Sequence, residues 1–256
     1  MRYDRLIHHT ISRLRDGWTP EEICGRLPID YPGDQRMRAC HETVYEWIYA
    51  KEQQYRQLAQ YLSRGHKKRR RRTGRRAHSE RIKWRTSIHD RPDTVTGREE
   101  FGHWESDTVQ GLRGSGNIHT TVERTTRFMI GAKLVDGSAT ETVHAQMGIY
   151  RALPPHAARS VTVDNGREFA QHYQLADTLA IPTYFADPYS AYQRGTNEHF
   201  NGRLRKYLPK GTSFTDLLQA ELDEIITEIN NRPRKVLGWL TPAEVFQELC
   251  STHTPT

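Results

Sequence analysis

The chain has 256 residues, room for one domain of average size and a smaller one. Its 38 Lys and Arg exceed its 31 Asp and Glu by seven, yet nine of those cations sit within residues 64–76, so the remainder carries 7 − 9 = −2. Cys24, Cys40 and Cys250 form no CxxC pair, no run approaches the ~18 apolar residues of a membrane span, and MRYDRLIHHTISRLRD is too polar for a secretory signal; these argue against a disulfide framework, a cysteine-built metal site and a membrane protein, and for reduced thiols in a cytosolic protein.

Residues 1–62 read as helical. Leu6, Ile11, Leu14 and Trp18 form an approximate helical stripe, and Gly17 stops that helix. Thr19-Pro20-Glu21-Glu22 starts the next: Thr19 as N-cap, Pro20 at the first helical position, Glu22 closing a capping box. The stretch 28–40, PIDYPGDQRMRAC, is rich in turn formers. A third helix, HETVYEWIYAKE, carries Val44, Trp47 and Ile48 inward, and a fourth is expected near QQYRQLAQYLS. Short helix, turn and helix with an apolar inner face is the layout of a helix-turn-helix, although the connection exceeds the 3–4 residues of the compact motif. His41, Glu42, Tyr45 and Glu46 would then face a major groove.

The basic block holds Arg64, Lys67, Lys68, Arg69, Arg70, Arg71, Arg72, Arg75 and Arg76 without an acid. Self-repulsion extends such a run and a polyanion neutralises it, so DNA is the expected partner; a solvated linker is the alternative. Residues 63–100 as a whole read as a basic linker, ending in the turn-rich HDRPDTVTG.

A second domain is expected over 101–250. HWESDTVQGL alternates like a strand, and GNIHTTVERTTRFMIGAKLV reads as two strands with a turn near Glu123-Arg124-Thr125. SATETVHAQMGIYRAL is a helix, with Ser138 and Glu141 as a capping box and Val143, Met147 and Tyr150 on one face. RSVTVD is a short buried strand. EFAQHYQLADTLA is a helix with Phe169, Tyr173, Ala176 and Leu179 inward. PTYFAD is a strand, and two helices follow, one through Glu198 and one from Thr215 to Asn231. The order is βββ-α-β-α-β-α-α, a mixed five-stranded α/β sheet flanked by helices.

Three carboxylates stand out. Asp107 lies within the first strand, on the face of Glu105 and Val109. Asp164 ends the fourth strand before the turn-forming Asn165-Gly166. Glu198 follows after 33 intervening residues (198 − 164 − 1), on a helix whose apolar stripe is Phe200, Leu204 and Tyr207 or Leu208. If the first and fourth strands are neighbours, the aspartates converge; Glu198, Asn201 and Arg205 share another helix face. Three such oxygen donors suit two magnesium ions ~3.5–4 Å apart, with Asp107 bridging, for in-line displacement at phosphorus. Spacing alone leaves this open, because acids at strand ends are common and Glu105, Glu123, Asp136, Glu168 and Asp187 compete.

The context of the three is more specific. GHWESDTVQG, VTVDNGREF, YFADPYSAYQRGTNEHFNGRLRKYLPKGT and NNRPRKVLGWLTPAEVF cover most of residues 101–247 and resemble the IS-thirty family of bacterial insertion-sequence transposases, within the DDE transposases and retroviral integrases; WTPEEICGRL and HETVYEWIY resemble that family's helix-turn-helix. The resemblance implies a ribonuclease H-like core, Mg2+ (two ions, with Mn2+ a substitute), and transposition of an element between inverted repeats. It places the family's D, D and E on Asp107, Asp164 and Glu198, as catalytic and metal-holding residues. It implies double-stranded DNA, both element ends and target, as partner, a homodimer or higher when synapsed, and a place in the bacterial cytoplasm on the nucleoid. Arg194, Asn197 and Arg205 are expected at the DNA beside Lys67, Lys68, Arg69, Arg70, Arg71, Arg72, Arg75, Arg76, His41, Glu42 and Tyr45; Tyr189, Gln193, Arg203 and Lys206 would contact DNA or orient the site. Two departures appear. Ser106 stands where glycine is expected before the first aspartate, and a helix-turn-helix that family members usually carry upstream is expected to be missing before MRYDRL. A sequence-specific DNA-binding regulator, or a truncated inactive copy, is the alternative reading. Trp239 is expected on the core, and Thr241-Pro242-Ala243-Glu244 repeats the capping box of Thr19.

Overall fold

The computed structural model describes residues 3–50, 58, 61, 82–188 and 190–252, so the basic block and nearly all of the expected fourth helix lie outside the described residues. The chain forms two compact units: residues 1–77 with 232–241, and residues 78–231 with 242–256.

In the first unit α1 spans Asp4–Arg15, α2 Pro20–Asp30 and α3 His41–Tyr49. Gly17 closes α1 at φ +76°, a left-handed conformation that favours glycine. The expected capping box opens α2: the Glu22 N–H donates to Thr19 Oγ1 at 3.2 Å and the Thr19 N–H to Glu22 Oε2 at 2.9 Å. This helix runs past Pro28 to Asp30, further than the turn-rich sequence suggested. Leu14, Ile23, Val44 and Ile48 are fully buried in a shared core with Trp18 and Trp47. Residues 232–241 belong here rather than to the core on which Trp239 was expected. The Trp239 indole lies so close to Gly25 of α2 that a Cβ there would fall 2.1 Å from the ring, and Arg234 pairs with Glu22 at 3.4 Å.

The second unit is built on a six-stranded sheet. Its strands are β1 (Thr86–Ser87), β2 (His103–Gln110), β3 (Asn117–Glu123), β4 (Met129–Leu134), β5 (Ser160–Val163) and β6 (Thr183–Phe185), in the order β1-β6-β5-β2-β3-β4. Five strands were expected; β1 adds a sixth within the stretch read as linker. Two residues are too short to show alternation, and only their parallel pairing with β6 makes them a strand. A short helix α4 (Asp93–Gly97) follows, with Val95 buried. β2, β3 and β4 form an antiparallel meander, and β5 joins β2 in parallel.

Helices flank this sheet: α5 (Ala139–Arg151), α6 (Tyr173–Leu179), α7 (Gly195–Tyr207), α8 (Gln219–Asn230) and α9 (Pro242–Thr252). One apolar core packs Trp104, Val143, Val161, Phe169 and Phe185; another packs Val109, Ile118, Phe200, Leu204 and Leu222. Three local expectations change. Ser138 caps α5, but the Glu141 carboxylate accepts from the N–H groups of Val135, Asp136 and Gly137 instead of Ser138. The helix read from Glu168 begins only at Tyr173, after a 3-10 turn at Arg167–Phe169; that offset buries Leu175 and exposes Ala176. The last long helix starts at Gln219, not Thr215, because Lys133 Nζ takes the Thr215 and Leu217 carbonyls.

Candidate active site

The parallel register of β2 and β5 sets His103 opposite Ser160, Trp104 opposite Val161 and Glu105 opposite Thr162. Two steps further along the same register stand Asp107 and Asp164. Strand pairing alone therefore brings these two acids together, at the carboxyl end of β5 where sites form in open α/β sheets.

Both carboxylates are held in place. Asp107 Oδ1 accepts from the Thr108 N–H at 2.8 Å and Oδ2 from Asn201 Nδ2 at 3.0 Å. Asp164 Oδ1 accepts from the Gly166 N–H at 2.8 Å, the turn that Asn165-Gly166 was expected to make. Between them lies Arg194. Its Nη2 donates to Asp164 Oδ2 at 3.1 Å, its Nη1 stands 3.8 Å from Asp107 Oδ1, and the same Nη1 donates to the Ser106 carbonyl at 3.0 Å. Burial pushes the Asp107 carboxyl above the usual aspartate range, Arg194 opposes this, and Asp164 adds to it.

Glu198 sits on α7 and is exposed. The sheet-facing side of α7 is fixed by polar contacts around it. The Asn197 N–H donates to Glu105 Oε2 at 3.0 Å, and Asn197 Nδ2 donates to the Glu105 carbonyl at 2.8 Å. Thr120 Oγ1 donates to Asn201 Oδ1 at 2.8 Å. Glu105 is itself fully buried and paired with the buried Arg124, whose Nε reaches the Val95 carbonyl at 3.2 Å. The first turn of α7 is thus anchored on a buried acid, and Asn201, one turn after Glu198, is anchored on Asp107.

Several residues expected at DNA have other work. Asn197 is fully buried, and its amide is engaged with Glu105 and Thr120, so it holds α7 to the sheet. Arg205 Nη2 donates to the Gln110 carbonyl at 2.6 Å, and its Nη1 to the Leu208 carbonyl at 3.4 Å. Gln193 grips Asp187 from both sides, accepting from its N–H at 2.8 Å and donating to its carboxylate at 2.9 Å. His41 and Glu42 are exposed on α3 and Tyr45 is half-buried. Lys67 to Arg76 and Tyr189 lie outside the described residues.

One acid gains weight from the structure. Glu168 is half-buried, and burial followed by the charges of Asp164 and Asp107 raises its carboxyl. Its place in DNGREF, four residues after Asp164, was the available signal. Ser106, the residue found where glycine was expected, donates to Thr121 Oγ1 at 2.9 Å and lies 3.2 Å from the Tyr150 hydroxyl, so its buried hydroxyl is satisfied.

The donors suit a hard divalent cation. They are carboxylate oxygens at a strand end, and two of them already face one positive group, the Arg194 guanidinium. Among the described residues no three His, Cys, Asp or Glu side chains are grouped closely enough to form a metal cage unaided.

Residues 97–191 match the integrase core domain, which defines the class: a ribonuclease H-like polynucleotidyl transferase core. The chain is 36% identical over 243 residues to the transposase of insertion sequence element IS1086 from Cupriavidus metallidurans, covering 94% of this chain and 72% of that protein. It is 34% identical over 244 residues to the transposase of IS4351 from Bacteroides fragilis, covering 95% of this chain and 73% of that one. Against the transposase InsI of IS30A from Escherichia coli it is 35% identical over 243 residues, which is 93% of this chain and 63% of that protein. The chain belongs to the IS30 family of insertion-sequence transposases, DDE enzymes that act on DNA. The integrase core family uses divalent metals. None of the described helices is long and apolar enough to cross a membrane.

Proposed function

We propose that Asp107, Asp164 and Glu198 are the catalytic carboxylates of this transposase and hold two Mg2+ ions, with Mn2+ able to replace them. The observation that carries this reading is the β2–β5 register, which pairs Glu105 with Thr162 two residues before Asp107 and Asp164, together with the one cation, Arg194, that faces both aspartates. Glu198 is the third member because α7 is pinned to the same strand segment through Asn197 and Asn201.

Bound there, divalent ions supply positive charge at the scissile phosphate and help activate the attacking oxygen. The protein's own contribution is placement. The Thr108 and Gly166 N–H groups and Asn201 fix the aspartate oxygens, so little reorganisation accompanies reaction. Water attacks phosphorus at an element end and the 3′-oxygen leaves as a 3′-hydroxyl. That hydroxyl then attacks a target phosphodiester, and a target 3′-oxygen leaves. No covalent bond to the protein forms.

The DNA is double-stranded, at element ends and target. Residues 1–62 form the reading domain, with His41, Glu42 and Tyr45 toward the major groove; the block at 64–76 is the basic connection to the phosphates; residues 78–231 with 242–256 are the catalytic unit, since its sheet takes in β1 and residues 232–241 belong to the first unit. Synapsis of two ends calls for a homodimer or a larger assembly, working on the nucleoid in the cytoplasm.

A nicking assay on end-containing DNA with Mg2+ or Mn2+ tests this. Asp107→Asn and Glu198→Gln should each lose strand cleavage while DNA binding survives. Full cleavage by either variant would sink the assignment.

A further inference from the structure

We propose that Arg194 is an internal cation that holds Asp107 and Asp164 together in the metal-free protein and leaves them when a divalent metal ion binds. This rests on the assignment of those aspartates as metal-holding residues, and adds a residue that positions them.

The contacts carry the argument. Arg194 reaches Asp164 Oδ2 at 3.1 Å and stands 3.8 Å from Asp107 Oδ1, so one guanidinium faces an oxygen of each acid. On Asp164 that oxygen is the one turned away from the tether, since Oδ1 takes the Gly166 N–H; on Asp107 the guanidinium faces Oδ1, which also accepts from the Thr108 N–H, while Oδ2 takes Asn201. A planar guanidinium with several fixed N–H donors can serve both acids and a carbonyl at once, and its third contact is the Ser106 carbonyl at 3.0 Å. That carbonyl belongs to the strand residue just before Asp107, so the cation is moored to the sheet. Without it, the mutual repulsion of Asp107, Asp164 and the neighbouring Glu168 would be offset only by uncharged donors, the Thr108 and Gly166 N–H groups and Asn201 among them.

A divalent ion and a guanidinium compete for these oxygens, because both are positive and repel each other at such close approach. Metal entry therefore displaces the side chain. The backbone need not follow. Arg194 is the residue before α7, and its neighbour Gln193 stays fastened to Asp187 through two hydrogen bonds. Swinging the side chain away from the acids leaves α7 and Glu198 where they are. It also frees a guanidinium beside the acids, ready for a phosphate.

The test uses the full chain and Mn2+, read by loss of the free-ion electron paramagnetic resonance signal. Arg194→Ala should bind Mn2+ about tenfold more tightly than wild type, since a competing charge is gone, while its metal-free form melts at a lower temperature. Arg194→Lys keeps the charge but has no fork to span two acids, so its affinity should fall between the two. In wild type labelled with ¹⁵N-arginine, the Arg194 side-chain signal, assigned by its absence in Arg194→Lys, should shift on Mg2+ addition. Equal Mn2+ affinity in wild type and Arg194→Ala, or an Arg194 signal that ignores Mg2+, would overturn the role. Asp107→Asn separates the two levels. Wild-type Mn2+ affinity in that variant would overturn the site assignment itself; lost binding there, with Arg194→Ala unchanged, would overturn the Arg194 role alone.

Discussion

Replacing Arg124 with Met should weaken the catalytic unit more than any single exposed charge can. Arg124 is buried and pairs with Glu105, which has no exposed surface. Removing the cation leaves the Glu105 carboxylate buried with the Asn197 N–H as its remaining donor, and takes from the Val95 carbonyl one of two donors, leaving it the Arg98 N–H at 3.4 Å. Breaking one side of a buried pair costs about 3–5 kcal/mol, because the surviving charge stays out of water. For a domain of 150–250 residues each kcal/mol moves the melting point by roughly 2–4 °C, so the unit should melt about 6–20 °C lower. The loss should also be local. Glu105 anchors the first turn of α7, so amide hydrogen exchange should quicken along Gly195–Tyr207 before it quickens in β3 or β4. The double variant Glu105→Gln, Arg124→Met removes the stranded charge and should recover much of the melting point. An Arg124→Met protein with an unchanged melting point and unchanged exchange in α7 would refute the idea that this pair anchors the helix carrying Glu198.

Three further outcomes are expected. Gly25→Ala forces a Cβ to within 2.1 Å of the Trp239 ring unless the indole moves; the first unit should lose about 1–3 kcal/mol, with a changed tryptophan emission, and an unshifted melting curve would contradict the packing. His119 is fully buried and burial pushes its pKa down to about 4, so its unfolded form binds protons more readily; this stabilisation is complete above the ordinary value of 6.5 and fades as pH falls from there toward 4, a loss of about 3 kcal/mol that urea titrations of His119→Leu should not show. Neutralising Arg69–Arg72 should flatten the salt dependence of DNA binding by roughly 0.9 in log–log slope for each phosphate contact removed, and an unchanged slope would make the block a spacer.

The site was readable where sequence spacing and strand pairing obey the same rule. Asp107 and Asp164 each sit two residues beyond a paired position, Glu105 and Thr162, so placing the first and fourth strands side by side was enough to join them. The capping box at Thr19 and the stripe Phe200, Leu204, Leu208 were equally legible, because both depend on helix geometry alone. What escaped was long-range. Glu105 looked like a competitor for the metal and is instead a buried anchor, a fact set by Arg124 and by Asn197 ninety-two residues away. Asn197 and Arg205 looked available to DNA; the partners that occupy them come from β2 and β3. Trp239 lay near the C-terminus in sequence and packs on Gly25, a contact no local pattern announces.

The central claim is that three acids act as one site, and the most direct measurement is the rate of strand cleavage in Asp107→Asn, Asp164→Asn, Glu198→Gln and the triple variant. Residues that act as a unit are strongly non-additive, so each single variant should lose nearly as much rate as the triple while end binding is kept. A single variant that cleaves at the wild-type rate, or losses that add in proportion across the three, would contradict it.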